Sequence, residues 1–189
     1  MDRRQMLESL ECTPVVAAVK NDIGLRQCLL CDSTMVFILY GTVNDIARIV
    51  LEAKQAGKTV FVHLDLLDGL SAKEAAVDFI AKTTRADGII STKPALIRYA
   101  KHIGLATIQR FFVLDSLALE NIRKADRQRD ADFIEILPGL MPKVIRLLTA
   151  ELQRPIIAGG LISDKEDVVT ALSAGAVAVS TTCAEVWFL

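Results

Sequence analysis

The chain has 189 residues, 52% of them hydrophobic and 24% charged, a balance that suits one compact domain with a large core and excludes a disordered or fibrous chain. A net charge of −1 and a pI near 6.1 lie well below the basic character of a dedicated nucleic-acid-binding domain. No apolar run reaches the ~20 residues that cross a bilayer, and "MDRRQMLESLECTP" breaks its apolar residues with charges, so a cytoplasmic location without membrane contact is expected.

In chain order, residues 1–13 come first, with a small helix predicted over about Arg3 to Leu10. Strand-like runs then follow at a steady cadence: "VVAAV" (15–19), "MVFIL" (35–39), "TVFVHLDL" (59–66), "GIIS" (88–91), "ATIQRFF" (106–112), "FIEIL" (133–137), "PIIA" (155–158) and "AVAVS" (176–180). Between them lie amphipathic stretches such as "VNDIARIVLEAKQAG", with Ile46, Ile49, Val50 and Ala53 at helical spacing. Eight βα units in alternation predict a parallel sheet, and the number eight predicts closure into a single (β/α)8 TIM barrel, with 1–13 capping its floor. A flavodoxin-like open sheet is the alternative, but it would leave two strands unexplained. Such barrels usually take ~250 residues, so this one must have minimal loops and short helices.

Four cysteines, at 12, 28, 31 and 183, fit reduced thiols. Cys28 and Cys31 form a C-x-x-C, yet no second such pair and no paired histidines accompany it, so no metal is expected. The stretch "IGLRQCLLCD" reads instead as a helix packing Ile23, Cys28, Leu29 and Cys31. No Gly-rich nucleotide motif occurs, and no cofactor is expected.

Barrel sites are built where strands end. In chain order that rim offers Lys20, Tyr40, Asp65 with Asp68, Ser91-Thr92-Lys93, Gln109-Arg110, Glu135, Gly159-Gly160 and Ser180-Thr181-Thr182. A strand ending in paired glycines and a next strand ending in hydroxyls are how many barrels hold a phosphate at strands seven and eight. Gly159, Gly160, Ser180 and Thr181, joined by the cations Arg110 and Lys93, are therefore candidate phosphate ligands. Asp65 and Glu135, with Lys20, are candidates for the polyol end of a small phosphate monoester. The same carboxylates and lysines are also the equipment of isomerases, epimerases and aldolases. His63 lies inside the third strand and His102 in a helix, where each reads as structural or exposed.

The stretches "HLDLLDGLSAKEAAVDFI", "ADGIISTK", "TIQRFFVLDS", "DFIEILPGLMPKVI", "PIIAGGLI" and "GAVAVSTT", in this order, resemble the glycerol uptake operon antiterminator family over nearly the whole chain. The resemblance implies a regulator that senses glycerol 3-phosphate and acts on the mRNA leader of glycerol-utilisation operons, letting transcription pass a terminator without turnover of the effector. On that likeness the phosphate elements carry onto Gly159, Gly160, Ser180 and Thr181, and the basic motifs onto Lys93 and Arg110.

The charge distribution leaves room for RNA. Residues 82–129 hold ten Lys or Arg against four acids, the first 81 residues eight against eleven, and the last 60 four against eight. The basic excess therefore falls in the units around strands four and five. There "ENIRKADRQRD" places Arg123, Lys124 and Arg127 along one helix as RNA-contact candidates. Aromatic platforms for single strands look scarce, because Phe111 and Phe112 lie in or just after a strand. Two rivals remain at this level: a phosphate-binding barrel enzyme of the epimerase, isomerase or glycerol-phosphate prenyl transferase type, and a protein-binding module with a relict pocket. A homo-oligomer would double the basic surface, though the sequence marks no interface.

Overall fold

The structure, a computed structural model, describes residues 3–189. Eight parallel strands close into a barrel in sequence order: β1 (Val15–Val19), β2 (Met35–Ile38), β3 (Thr59–His63), β4 (Gly88–Ser91), β5 (Ala106–Phe112), β6 (Phe133–Leu137), β7 (Ile156–Gly159) and β8 (Ala178–Thr181), with β8 pairing back onto β1. The helices α2 (Asp22–Cys28), α3 (Ile46–Gln55), α4 (Glu74–Thr83), α5 (Pro94–His102), α6 (Ser116–Gln128), α7 (Pro142–Glu151) and α8 (Lys165–Ser173) alternate with them.

Near-continuous apolar strands follow from burial on both faces. Inward positions Val16, Phe37, Phe61, Ile108, Phe133, Ile157 and Ala178 fill the barrel, with the Phe37 and Phe61 rings edge-on at 6.0 Å. Outward residues such as Val60, Val62, Ile134 and Ile136 pack against the helices. Each such side chain contributes roughly 1.5–3 kcal/mol on burial. The first helix, α1 (Arg3–Cys12), buries Met6 and Leu10 in the same cluster as the inward residues. Its C-terminal end is pinned by a hydroxyl chain from Ser9 through Thr34 to Thr13, at 2.7 and 2.8 Å. Residues 1 and 2 of the expected floor cap lie outside the described residues.

A barrel of this length closes because two units are cut down. Helix α2 has seven residues, and β8 is followed by a five-residue 3-10 helix, Ala184–Phe188, in place of a full helix. The buried Trp187 anchors that last turn, its indole N–H donating to the Thr181 carbonyl at 2.8 Å. The short α2 also changes its packing. Cys28 and Cys31 are buried, but Ile23 is 63% exposed because the helix ends before it can turn a second apolar row inward. Beneath them the buried Lys58 ammonium donates to the carbonyls of Cys31 and Ser33 at 2.6 and 2.8 Å.

Four strands differ from expectation, β2 by stopping at Ile38, one residue short of the expected run. The third strand stops at His63, and Leu64–Leu66 form a 3-10 turn instead of continuing to residue 66. Leu64 and Leu67 are buried while Leu66 is exposed, a spacing that no longer alternates. The last two strands shift toward their hydroxyl and glycine ends, because pairing of Gly159 with Ser180 extends the ladder past the apolar run. Among the described residues, no helix is long and apolar enough to cross a membrane.

Candidate functional site

Past the apolar filling, the inward alternation continues into polar residues. On β5, Ile108 fills the barrel and Arg110 follows on the same face. On β6, Phe133 is followed by Glu135, and on β8, Ala178 by Ser180. Arg110 and Glu135 are register partners, and the Arg110 Nε–H donates to Glu135 Oε2 at 2.6 Å. From the other side the Ser180 hydroxyl donates to Glu135 Oε1, also at 2.6 Å, across the width of β7. Gly159 makes that crossing possible. A Cβ there would stand 2.5 Å from Ser180 Oγ and 2.7 Å from Glu135 Oε1, so any other residue would break the bridge.

Glu135 has no exposed surface and Arg110 is nearly as buried. A buried ion pair holds together when its remaining polar positions are also satisfied, and here each carboxylate oxygen has its own donor. The pair therefore orients Arg110 at the mouth and cancels the acid that would repel an anion. Above it lies a cavity of about 510 Å³, within the range of small-ligand sites, bordered by Lys20, Arg110, Gly160, Ser163, Ser180 and Thr182. Gly160 turns the chain at φ 76° and Leu161 follows at φ 63°, so the segment after β7 curls over the cavity. The Thr181 hydroxyl faces that segment. It donates to the Ile162 carbonyl at 2.6 Å and accepts from the Cys183 N–H at 3.0 Å. It thus ties the β7 and β8 ends together.

The proposed residues separate into groups. Lys20, Arg110, Glu135, Gly160, Ser180 and Thr181 border the cavity, and Gly159 lies directly beneath. Asp65 and Lys93 are not among its lining residues. The 3-10 turn after β3 aims the Asp65 carboxylate sideways at the start of α5. There it accepts from the Ser91 hydroxyl at 2.8 Å and from the Thr92 N–H and hydroxyl, both at 2.7 Å. Burial alone would raise the Asp65 carboxyl, but the bonds from Thr92 and Ser91 outweigh it and hold it below the usual carboxylate range. Lys93 is exposed at the N-cap of α5, its N–H donating to Ser91 Oγ at 3.1 Å.

His63 received no role in the sequence, yet it occupies the inward position after Phe61. It is 3% exposed, and its Nδ1 has no hydrogen-bond partner among the described residues. Burial first, and the positive field of Arg110 second, push its imidazole down to about 4, so it is neutral at pH 7. The inward period through Phe61 was the available signal for it. On α6 the three basic candidates divide between two sides of the helix. Arg123 pairs with Glu151 on α7, Nε at 2.8 Å and Nη2 at 3.3 Å, and Arg127 borders the same α6–α7 crevice. Lys124 is exposed and faces α5. Among the described residues, no three His, Cys, Asp or Glu side chains gather as a metal would require.

The family model described as "Glycerol-3-phosphate responsive antiterminator" matches residues 15–187. The chain belongs to that family. A protein of Escherichia coli K12 described as "Uncharacterized protein YgcP" is 44% identical over 184 residues, 97% of this chain and 96% of that one. The crystal structure of a glycerol uptake operon antiterminator regulatory protein from Listeria monocytogenes has 35% identity and a TM-score of 0.86, covering 90% of this chain and 92% of that one. A glycerol uptake operon antiterminator-related protein from Thermotoga maritima has 32% identity and a TM-score of 0.79, over 92% and 96%. The family match runs from β1 through β8 of this chain, and the two antiterminator structures share its fold.

Proposed function

We propose that the chain is a sensor that binds glycerol 3-phosphate in the mouth cavity and acts in the cytoplasm on the mRNA leader of glycerol-utilisation operons. The observation that carries the reading is the pairing of two cations, Lys20 and Arg110, with the curled β7 end and the β8 hydroxyls around one small cavity. The phosphate lies against Gly160, Ser180 and Thr182 with Arg110 beside it. The glycerol end lies toward Lys20. Glu135 acts through Arg110, and Asp65 through the α5 start that it holds.

The same geometry favours binding without turnover. Glu135 is tied to Arg110 and Ser180, and Asp65, outside the cavity lining, is tied to Ser91 and Thr92, so neither carboxylate is poised to exchange a proton with a bound ligand. Lys20 is exposed, not desolvated as an amine nucleophile would be. The effector shifts the RNA equilibrium only by its differential affinity for the two states. A homo-oligomer would present two such surfaces to one transcript.

The test is calorimetric titration with glycerol 3-phosphate and with glycerol, followed by a leader-RNA gel shift with and without the effector. Saturable binding of the phosphate alone, and RNA affinity that changes with it, is the expected result. Binding of neither, or release of a chemically altered phosphate, overturns the reading.

A further inference from the structure

Gln109 is a buried amide on the outer face of the barrel. It sits on β5 between the inward residues Ile108 and Arg110, so its side chain faces the helices, with Ser91 on β4 and Ile134 on β6 as its register partners. It is 1% exposed, and neither its amide oxygen nor its amide nitrogen has a hydrogen-bond partner among the described residues. A buried amide with both ends unmet by the protein is a cost that packed interiors avoid, and a partner from outside the chain relieves it.

Over that amide runs a groove of about 850 Å³ between α5 and α6. Its walls include Phe111 and Phe112, the latter 54% exposed, and its lips carry Arg98, Asn121 and Lys124. Arg98 keeps a 3.3 Å pair with Asp130 while its side chain remains 55% exposed. A floor that offers one donor and one acceptor, aromatic walls and cationic lips together fit a flat heterocycle with donor and acceptor on its edge, carried on an anionic backbone. An unpaired nucleobase of single-stranded RNA has that chemistry. An amide pairs bidentately with such an edge, aromatic rings stack on its face, and Lys or Arg meets the flanking phosphates.

We propose that the α5–α6 groove takes one unpaired RNA base, read by the Gln109 amide, with Phe111 and Phe112 against the ring and Arg98 and Lys124 on the backbone. This deepens the RNA half of the sensing reading and rests on it. It also places the two ligands on opposite faces of adjacent residues, since Arg110 borders the effector cavity and Gln109 the groove. A shift of β5 on effector binding therefore reaches the RNA directly through one peptide unit.

The experiment measures fluorescence anisotropy of short labelled single-stranded RNA homopolymers of A, C, G and U, and of a glycerol-operon leader, each with and without glycerol 3-phosphate. The proteins are wild type, Gln109→Met and Lys124→Ala. Methionine keeps the volume of the side chain and removes both unmet polar ends, so this variant should melt no lower than wild type. Wild type should prefer one homopolymer by about tenfold or more, and Gln109→Met should erase that preference. Lys124→Ala should weaken all four about equally and flatten the salt dependence. Equal affinity for all four homopolymers in wild type, as a groove meant for a protein segment would give, overturns the proposal. So does a preference that survives Gln109→Met. If leader binding persists unchanged in Gln109→Met, the groove is excluded while the sensor reading stands; if wild type binds no RNA in either condition, both fall.

Discussion

Two carboxylates at the barrel mouth, Glu135 and Asp65, look alike in sequence and do opposite work in the structure. Each interrupts an apolar run and each has hydroxyl residues within reach. Glu135 draws its donors, Arg110 and Ser180, from strands on either side, so that they converge on the barrel axis and leave a cation bordering a cavity. Asp65 draws its donors from Ser91, the last residue of β4, and from Thr92 just after it, and the result is a brace that ties the turn after β3 to the start of α5. The direction from which donors arrive decides whether a polar cluster becomes a site or a strut.

The largest test of that contrast is Arg110→Ala. It removes the cavity's buried cation and strands Glu135 in the interior, so it should cost about 3–5 kcal/mol of stability in urea unfolding. Glycerol 3-phosphate affinity should fall by about 2–5 kcal/mol in calorimetry. The double change Arg110→Met with Glu135→Leu separates the two effects, because an apolar pair of similar volume should recover most of the stability and none of the affinity. On the strut side, Asp65→Ala loses three hydrogen bonds to a carboxylate and should cost roughly 2–4 kcal/mol of stability. Its effector affinity, measured on the protein that remains folded, should change by no more than about threefold. A large affinity loss there would return Asp65 to the site.

Much of the barrel was legible, because a strand buried on both faces is an apolar run of the right length. β1, β4, β5 and β6 occupy residues 15–19, 88–91, 106–112 and 133–137, as the runs alone predict. Where the prediction slipped, something other than apolarity set the boundary. Leu64 and Leu66 look like strand, but Asp65 must reach partners 26 and 27 residues away, and only a tight turn aims it there. The role of Glu135 depends on Ser180, 45 residues distant, and on a missing Cβ between them. Gln109 was partly legible. Alternation with Ile108 and Arg110 already turns it outward, away from the rim it was grouped with, while the lack of a partner for its amide among the described residues is a property of packing alone.

His63 sharpens the comparison from the β3 side of the mouth. Its imidazole is held neutral down to about pH 4, whereas in the unfolded chain it titrates near 6.5. Between those values the unfolded state binds more protons, so stability must fall as pH drops from 6.5 toward 4 and is unaffected by this group above that window. About 2 kcal/mol should be lost between pH 7 and pH 5 on this account. His63→Gln should flatten that slope, and the His63 ring resonances should hold their neutral positions at pH 5.5. An imidazole that titrates normally would mean that water reaches the interior beside Arg110, and the mouth would then be wetter than the buried ion pair implies.

The smallest effects lie on α6, where the contrast between engaged and free charge repeats at the surface. Arg123 already spends its guanidinium on Glu151, while Lys124 stands exposed beside the α5–α6 groove. A phosphate must compete with Glu151 for the first and meets no such rival among the described residues at the second. Arg123→Ala should therefore change leader-RNA affinity by less than about twofold, and Lys124→Ala by several-fold, as expected for one phosphate contact of modest strength. Removing the rival inverts the logic: Glu151→Gln should free Arg123 and raise RNA affinity at low salt, an increase that screening should abolish at high salt. Equal losses for Arg123→Ala and Lys124→Ala would move the RNA path onto the α6–α7 crevice, with Arg127 beside it, and away from Gln109.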